Sequence, residues 1–325
     1  MNLLNDPIFR IELRSRTGAV LNLPEVFEAL GKNDIDHFSG IQRHQEEAFH
    51  VFLSYLGGAV LAREGLMQPR QSTSFWRDGL RRLVGDYGDQ AWSLVGENLA
   101  QPAFMQPPLP STEWSKLRVK AETPDEMDLL VTAKDHDVKI RRARVPEADN
   151  WVYALISLQT MAGFSGRGQT GISRMNGGFG NRLVVEVVRS FDPGQRWCDA
   201  VTRILQFRAQ LLEKDYGYRS DGLVLVWLWP WDGETTLPLS ALDPFYIEIC
   251  RRVRLKLDPT GRIVAEGLPS KRQRIDAKEL LGAVGDPWLP VDVVKDRKAL
   301  RSHEILTYDL LAIGIDMGPD NIVPL

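Results

Sequence analysis

Cysteine is nearly absent from these 325 residues: Cys198 and Cys250 are the only two. Two thiols make neither a disulfide framework nor a four-thiolate zinc site, and a reduced, cytoplasmic setting is expected. No run approaches the ~20 apolar residues that a membrane span requires. Met1 to Arg10 has no basic segment followed by an apolar one, so no secretory leader is expected. Histidine is scarce, with five in all, and no His-Glu-x-x-His occurs. His44 and His50 are six apart on one predicted helix and do not share a face. His136 lies between Asp135 and Asp137 with no thiol nearby, so a solvated loop outweighs a metal site there. Neither a Gly-x-Ser-x-Gly elbow nor a P-loop is present, and no nucleophile–base pair stands out. No catalysis, metal or cofactor is therefore expected. Basic charge is also in short supply: 40 Lys and Arg face 43 Asp and Glu, a formal net charge of -3. A domain that binds nucleic acid unaided is usually basic, so the average excludes that class unless the charge is segregated.

What is present is ample apolar material. With 43% apolar and 26% charged residues the chain can bury a sizeable core, as one large or two modest domains. Nine Trp suit both core and partner surfaces. Ile8 to Leu13 and Val20 to Leu23 read as a hairpin across Gly18. Helices are expected over Gly40 to Ala62, over Phe75 to Val95 with breaks near Gly85 and Gly88, over Trp151 to Met161, and over Trp197 to Lys214. Thr123 to Asp128, with Pro124 at the first helical position, opens like a helix. Leu183 to Val188 and Leu223 to Trp229 read as strands. Arg251 to Gly267 reads as a hairpin turning at Asp258-Pro-Thr-Gly261. Gly285-Asp-Pro287 marks a turn, and Lys298 to Leu311 starts a helix. Gln101 to Pro110 is a Pro-rich loop. Helices and strands mix without regular alternation, so the fold class is α+β, or irregular α/β. A subdivision is possible near residues 190–220.

Charge is in fact segregated. Asn150 to Val185 contains no Asp or Glu, yet carries Arg167, Arg174 and Arg182, and seven Gly fall between Gly163 and Gly180. Glycine lets main-chain N–H groups approach a polyanion closely, and Arg makes bidentate contacts with phosphate or guanine. A tight or mobile surface loop is the bland alternative. Two further basic runs occur. Lys134 to Arg144 holds five cations against Asp135 and Asp137. Arg251 to Lys278 holds nine cations against three acids, densest at Lys271, Arg272 and Arg274. One such run is usually a solvated face; three point to a polyanion. Gly166-Arg-Gly168-Gln-Thr-Gly171 also matches the dinucleotide pattern, with Glu186 near the distance of a ribose-binding acid. That pattern wants a strand before it and a helix after it, whereas the preceding segment reads as helical.

Several stretches together resemble the large subunit, the CasA family, of type I-E CRISPR Cascade complexes. They are Met1-Asn-Leu-Leu4, Ile41 to His50 with Phe52-Leu53, Gln101-Pro-Ala-Phe-Met-Gln-Pro-Pro108 and Asp128 to Lys139. Ser157 to Gly163 running through Gly171 to Phe179 is the strongest. Pro244 to Arg254, Gly285-Asp-Pro-Trp288 and Lys298-Ala-Leu300 complete the set, in the family's order from Met1 to about Tyr308. The resemblance implies a non-catalytic subunit beside the 5′ handle of the crRNA. It would read the protospacer-adjacent motif (PAM) on double-stranded DNA, largely from the minor groove, and help open the duplex for R-loop formation in antiviral defence. Gly163, Gly166, Arg167 and Gly168 would form the PAM-reading loop, with Arg174, Asn176, Lys271 and Arg272 as further DNA contacts. Thr132, Lys134, His136, Lys139 and Arg141 would face crRNA or a neighbouring subunit. The implied partners are crRNA, target DNA, the backbone, 5′-handle-binding and small subunits, and a helicase-nuclease or fused nuclease. The family continues into a wedge loop and a C-terminal four-helix bundle, expected to begin about where this chain ends, at Leu325. A fragment, a truncated variant and a nuclease-fused subunit all fit that end. Two other readings stay open: a nucleotide-cofactor enzyme built on Gly166 to Gly171, and a purely architectural subunit whose basic runs meet acidic proteins.

Overall fold

The computed structural model describes residues 1–128, 146–292 and 298–299. The chain opens with the expected hairpin, β1 (Phe9–Leu13) antiparallel to β2 (Ala19–Leu21). The strand reading over Val20 to Leu23 stops early, because Asn22 caps a helix there. Asn22 Oδ1 accepts from Glu25 N–H at 3.0 Å, and Glu25 Oε2 accepts from Asn22 N–H at 2.8 Å. With Pro24 in the first turn, this reciprocal cap sets α1 (Leu23–Gly31). β3 (Ile35–Phe38) then returns to the free edge of β1.

The centre of the molecule is α2 (Arg43–Arg63), buried along most of its 21 residues. α3 (Thr73–Val84) follows, capped by Ser72, whose hydroxyl accepts from Phe75 N–H. The chain then breaks at Gly85 and Gly88, as their positive φ requires, into a 3₁₀ segment over Gly85–Trp92. The Gln101 to Pro110 loop lies in the interior, with Phe104 and Met105 fully buried. Gln106 and the guanidinium of Arg254 satisfy its carbonyls.

β4 (Arg118–Ala121) and the single turn α4 (Pro124–Met127) lead to α5 (Ala148–Met161), which lies against α2. α6 (Pro193–Glu213) crosses α2 at Gly57 and Gly58. A Cβ on these glycines would sit 2.8 Å from Trp197 Cζ2 and 2.7 Å from Ile204 Cδ1, so their bareness allows the close crossing. Phe27, Trp76 and Trp197 pack ring on ring here, with centroids 4.8 to 5.8 Å apart.

Between α5 and α6, Leu183 to Val188 joins no ladder; of its described main-chain groups, Val185 N–H reaches Trp288 O at 2.9 Å. β-branched residues favour extended backbone, but a strand needs a neighbour to pair with. Similarly, the strand expected over Leu223 to Trp229 contracts to β5 (Leu223–Leu225) and then turns as 3₁₀. β6 (Leu237–Pro238) precedes β7 (Leu242–Ile247), which pairs parallel with β5.

β8 (Arg252–Leu257) and β9 (Ile263–Leu268) form the expected hairpin around Asp258, whose carboxylate accepts from Thr260 and Arg262 N–H. β4 adds to its far side, in the order β4-β9-β8. β10 (Ile275–Asp276) pairs parallel with β6, and β11 (Val291–Asp292) pairs with β12 (Lys298–Ala299). Lys298 thus enters a strand, not the expected helix, and the residues after Ala299 lie outside the described residues. The class is α+β, as expected, with small open sheets around a helical centre. Seven of the nine Trp are buried at 2% exposure or less; Trp114 and Trp229 face solvent.

Trp197 ties α6 to α1, α2 and α3, and its Nε1–H donates to Leu53 O at 3.1 Å. Trp197→Ala is expected to cost about 3 to 5 kcal/mol, read as a lower urea midpoint at unchanged slope. A destabilisation under about 1 kcal/mol would contradict this packing.

Candidate nucleic-acid interface

The glycine-rich segment leaves α5 at Ala162 and closes on itself. Gly163 N–H donates to Gly180 O at 2.7 Å, Phe164 N–H to Gly178 O at 2.9 Å, and Ile172 N–H to Ala162 O at 3.0 Å. Two glycines are dictated by this closure. A Cβ on Gly163 would lie 2.3 Å from Gly178 O, and one on Gly171 2.5 Å from the carbonyl carbon of Gly163. Gly163 is thus bare for internal packing, which corrects its expected place as a close-approach residue at the surface.

The tip, Ser165 to Gln169, is different. Gln169 N–H donates to Gly166 O at 3.0 Å, and Ser165 Oγ to Gln169 Oε1 at 2.6 Å. Gly166 has φ +139° with no atom within 4 Å of its would-be Cβ, and Gly168 has φ +81° against Pro269. Arg167 between them is exposed and makes no ion pair among the described residues.

The later basic segment is bonded directly to this tip. Ser270 N–H donates to Gly168 O at 2.8 Å, and Thr170 Oγ1 to Arg272 O at 3.3 Å. Lys271 and Arg272 N–H both donate to Gly233 O. Five predicted site residues, Gly166, Arg167, Gly168, Lys271 and Arg272, therefore meet at one surface. Lys271 Nζ is 2.6 Å from Glu234 Oε1, but both side chains are largely exposed. Such a surface pair is worth little and yields readily to another anion.

Under the tip lies Arg251, which the sequence places in a basic run without singling it out. Its Nη2 donates to Gly163 O at 3.1 Å and Ser165 Oγ at 3.0 Å; its Nη1 donates to Thr170 O and Cys250 O. No carboxylate pairs with it among the described residues. Gln159 fixes its main chain, accepting from Cys250 and Arg251 N–H at 2.9 and 2.8 Å. Arg251 also lines a groove of about 260 Å³ with Gly163, Phe164, Ser165, Gln169 and Asn181, and with the carboxylates of Glu126 and Asp128. Phe179 is the other residue not anticipated: it is 68% exposed and packs edge-on against Phe164 at 5.4 Å. Its signal in the sequence is an aromatic set between Gly178 and Gly180.

Other expectations are corrected. Arg174 is 4% exposed and meets Glu248 Oε2 at 3.0 Å and Asp286 Oδ2 at 2.8 Å, with its guanidinium over the Tyr246 ring at 4.3 Å. It cannot serve as a phosphate or groove contact. Arg182 is likewise buried on Asp286. The stretch is free of acids in sequence, but Glu248, just past the end of β7, and Asp286 of the Gly285 turn supply two to its interior. Only part of the Arg251 to Lys278 run faces outward, Lys271 and Arg272 among it. Arg252, Arg254 and Arg274 point inward onto carbonyls and Glu113, and burial pushes Arg254 and Arg274 down to about 10. Asn176 adopts the left-handed conformation, φ 45°, that turns the chain back to Gly178. Thr132, Lys134, His136, Lys139 and Arg141 lie outside the described residues.

The dinucleotide reading loses its geometry. Gly166 to Gly171 follows a helix and precedes a three-residue 3₁₀ turn. Glu186 is occupied: Arg196 Nε donates to it at 2.6 Å, and His50 Nε2 lies at 3.3 Å. Burial alone would raise the Glu186 carboxyl, but His50 and Arg196 outweigh it and hold it at about 2. Among the described residues no cluster of three His, Cys, Asp or Glu could hold a metal ion, and no helix is long and apolar enough to cross a membrane.

No protein-family model matches the sequence, and no curated protein matches it. Solved structures do match in fold. The CRISPR-associated protein Cse1 from Acidimicrobium ferrooxidans aligns with a TM-score of 0.51 at 15% identity, over 92% of this chain and 56% of that one. Thermobifida fusca Cse1 aligns at 0.50 and 15% identity, over 83% and 51%. Thermus thermophilus CasA (Cse1) overlaps at 0.48 and 17% identity, over 92% and 59%. The chain thus spans between half and three-fifths of the length of these structures, and it shares the fold of the Acidimicrobium and Thermobifida proteins.

The loop closure can be probed by proteolysis. Gly163→Ala forces two carbonyls apart, so trypsin should cut after Arg167 faster than in the wild type. Gly166→Ala meets no atom and carries only backbone strain of about 1 to 3 kcal/mol, so its rate should fall between the two. Equal rates for Gly163→Ala and the wild type would contradict the closure. As for pH, Glu186 is lowered in the folded state, so its stabilisation is present above about pH 4.5 and lost as pH falls toward 2. The gap in unfolding free energy between the wild type and Glu186→Gln should shrink by about 1 to 3 kcal/mol over that window. A constant gap would contradict the pairing.

Proposed function

We propose that this chain is the non-catalytic large subunit of a type I-E CRISPR surveillance complex, reading the protospacer-adjacent motif on duplex DNA and helping to start its unwinding. The observation that carries the reading is the exposed tip Ser165 to Gly168, locked beside Lys271 and Arg272, with the Arg251 guanidinium beneath it. The minor groove is about 6 Å wide and admits little side-chain volume, so a main chain stripped of Cβ atoms suits it. Arg167, Lys271 and Arg272 supply cations for the flanking phosphates. Minor-groove readout is degenerate, which fits a short motif check followed by guide RNA pairing for full specificity. The Cse1 fold likeness supports the same assignment. In it, Lys134, Lys139 and the residues around them face the crRNA 5′ handle or a neighbouring subunit, and a helicase-nuclease or fused nuclease cuts the target.

The chain purified from cells is expected to bring down a small RNA of defined length and several partner proteins. That assembly should bind duplexes carrying its motif more tightly than duplexes without it. Gly166→Val should reduce the ratio tenfold or more, about 1.4 kcal/mol, with the RNA retained. Recovery without RNA, or an unchanged ratio in the variant, would overturn the reading.

A further inference from the structure

Edge strand β4 carries Arg118 and Lys120, with Lys116 just before it; all three are exposed, and none has an ion-pair partner among the described residues. The contrast within one sheet is informative. Lys256 is paired with Glu266, Arg262 with Asp258 at 2.9 Å, and Arg252 with Glu113. Glu113, Glu266 and Asp258 are therefore taken up by the cations of β8 and of the turn that follows it. On β4, Arg118 folds back onto the carbonyls of Ser115 and Leu117, and among the described residues no carboxylate pairs with the ammonium groups of Lys116 and Lys120.

The strand is also continuous with the site. Arg118 is in register with Gly267, and the Lys120 stem lies over that glycine, its Cγ 3.1 Å from where a Cβ would stand. Two residues on, Pro269 packs against Gly168 at the loop tip, and Ser270 bonds to it. At ~3.3 Å per strand residue, Gly267 and Pro269 are about 7 Å apart. That is about two base-pair steps of ~3.4 Å along a duplex.

We infer that Lys116, Arg118 and Lys120 form a second contact surface, for the phosphodiester backbone of the duplex whose groove edge meets the loop tip. This rests on the proposed function and extends it with a path: from the tip, the duplex runs along β9 onto β4. Charge on an edge strand also deters pairing by a protein strand, which favours a polyanion over strand addition as the occupant.

The test uses the full chain and a duplex DNA of about two helical turns, between about 50 and 200 mM salt. Replacing the three cations by Gln (Lys116→Gln, Arg118→Gln, Lys120→Gln) should flatten the slope of log K against log salt by about 2 to 3, near 0.9 for each phosphate that the variant no longer neutralises. The paired-cation control, Lys256→Gln with Arg262→Gln, should change the slope by less than about 1. A wild-type slope in the triple variant overturns the inference. So does a wild-type chain that does not hold the duplex, or a change seen only with single-stranded RNA, or one that appears only when partner proteins are present. The slope is read on any sequence, so its failure is separate from a failure to discriminate between motifs.

Discussion

A guanidinium satisfied by carbonyls in place of a carboxylate is the interaction on which the candidate site depends. Arg251, the residue before β8, reaches into the closed glycine loop and ties Gly163, Ser165 and Thr170 together. Five N–H donors in a fixed fork let one side chain hold several carbonyls at once, which Lys cannot do. Because no acid neutralises it among the described residues, its charge still contributes to the potential at the tip. The same device recurs deeper in the molecule. Arg254 gathers the carbonyls of Asn98, Gln101, Gln106 and Pro107, and Arg274 those of Trp229 and Thr235. The β8 strand and the segment after β9 act as a rack of struts that hold irregular loops in fixed shape.

This division of labour explains a mild net charge alongside a cationic tip. Arg174 and Arg182 are neutralised inside by Glu248 and Asp286, while Arg167, Lys271 and Arg272 stay outside. Burial, not composition, separates structural cations from those available to a ligand. The glycines divide in the same way. Gly163 and Gly171 are bare because the loop packs on itself, whereas Gly166 is bare in open space.

Much of this was legible in the sequence, for physical reasons. The hairpin at Asp258 to Gly261, the helix breaks at Gly85 and Gly88, and the long glycine loop are local features written by turn residues. The pairing of Gly168 with Ser270, far apart in the chain, was not local, and only the resemblance to a known family put those segments together. α1 was missed because apolar residues ran on from β2, although Asn22-Leu-Pro-Glu25 spelled a cap. The inward turn of Arg252, Arg254 and Arg274 was hidden because a charge run in sequence reads the same whether its side chains face water or carbonyls. Leu183 to Val188 had the composition of a strand but no neighbour to pair with.

The central claim is that the tip at Arg167 lies against duplex DNA. A photo-crosslinking amino acid placed at position 167 of the full chain, irradiated with labelled duplex in the purified assembly, tests it directly. The account predicts a covalent protein–DNA adduct that maps beside the recognised motif. Adducts to protein alone, with the duplex bound but unlinked, would contradict it.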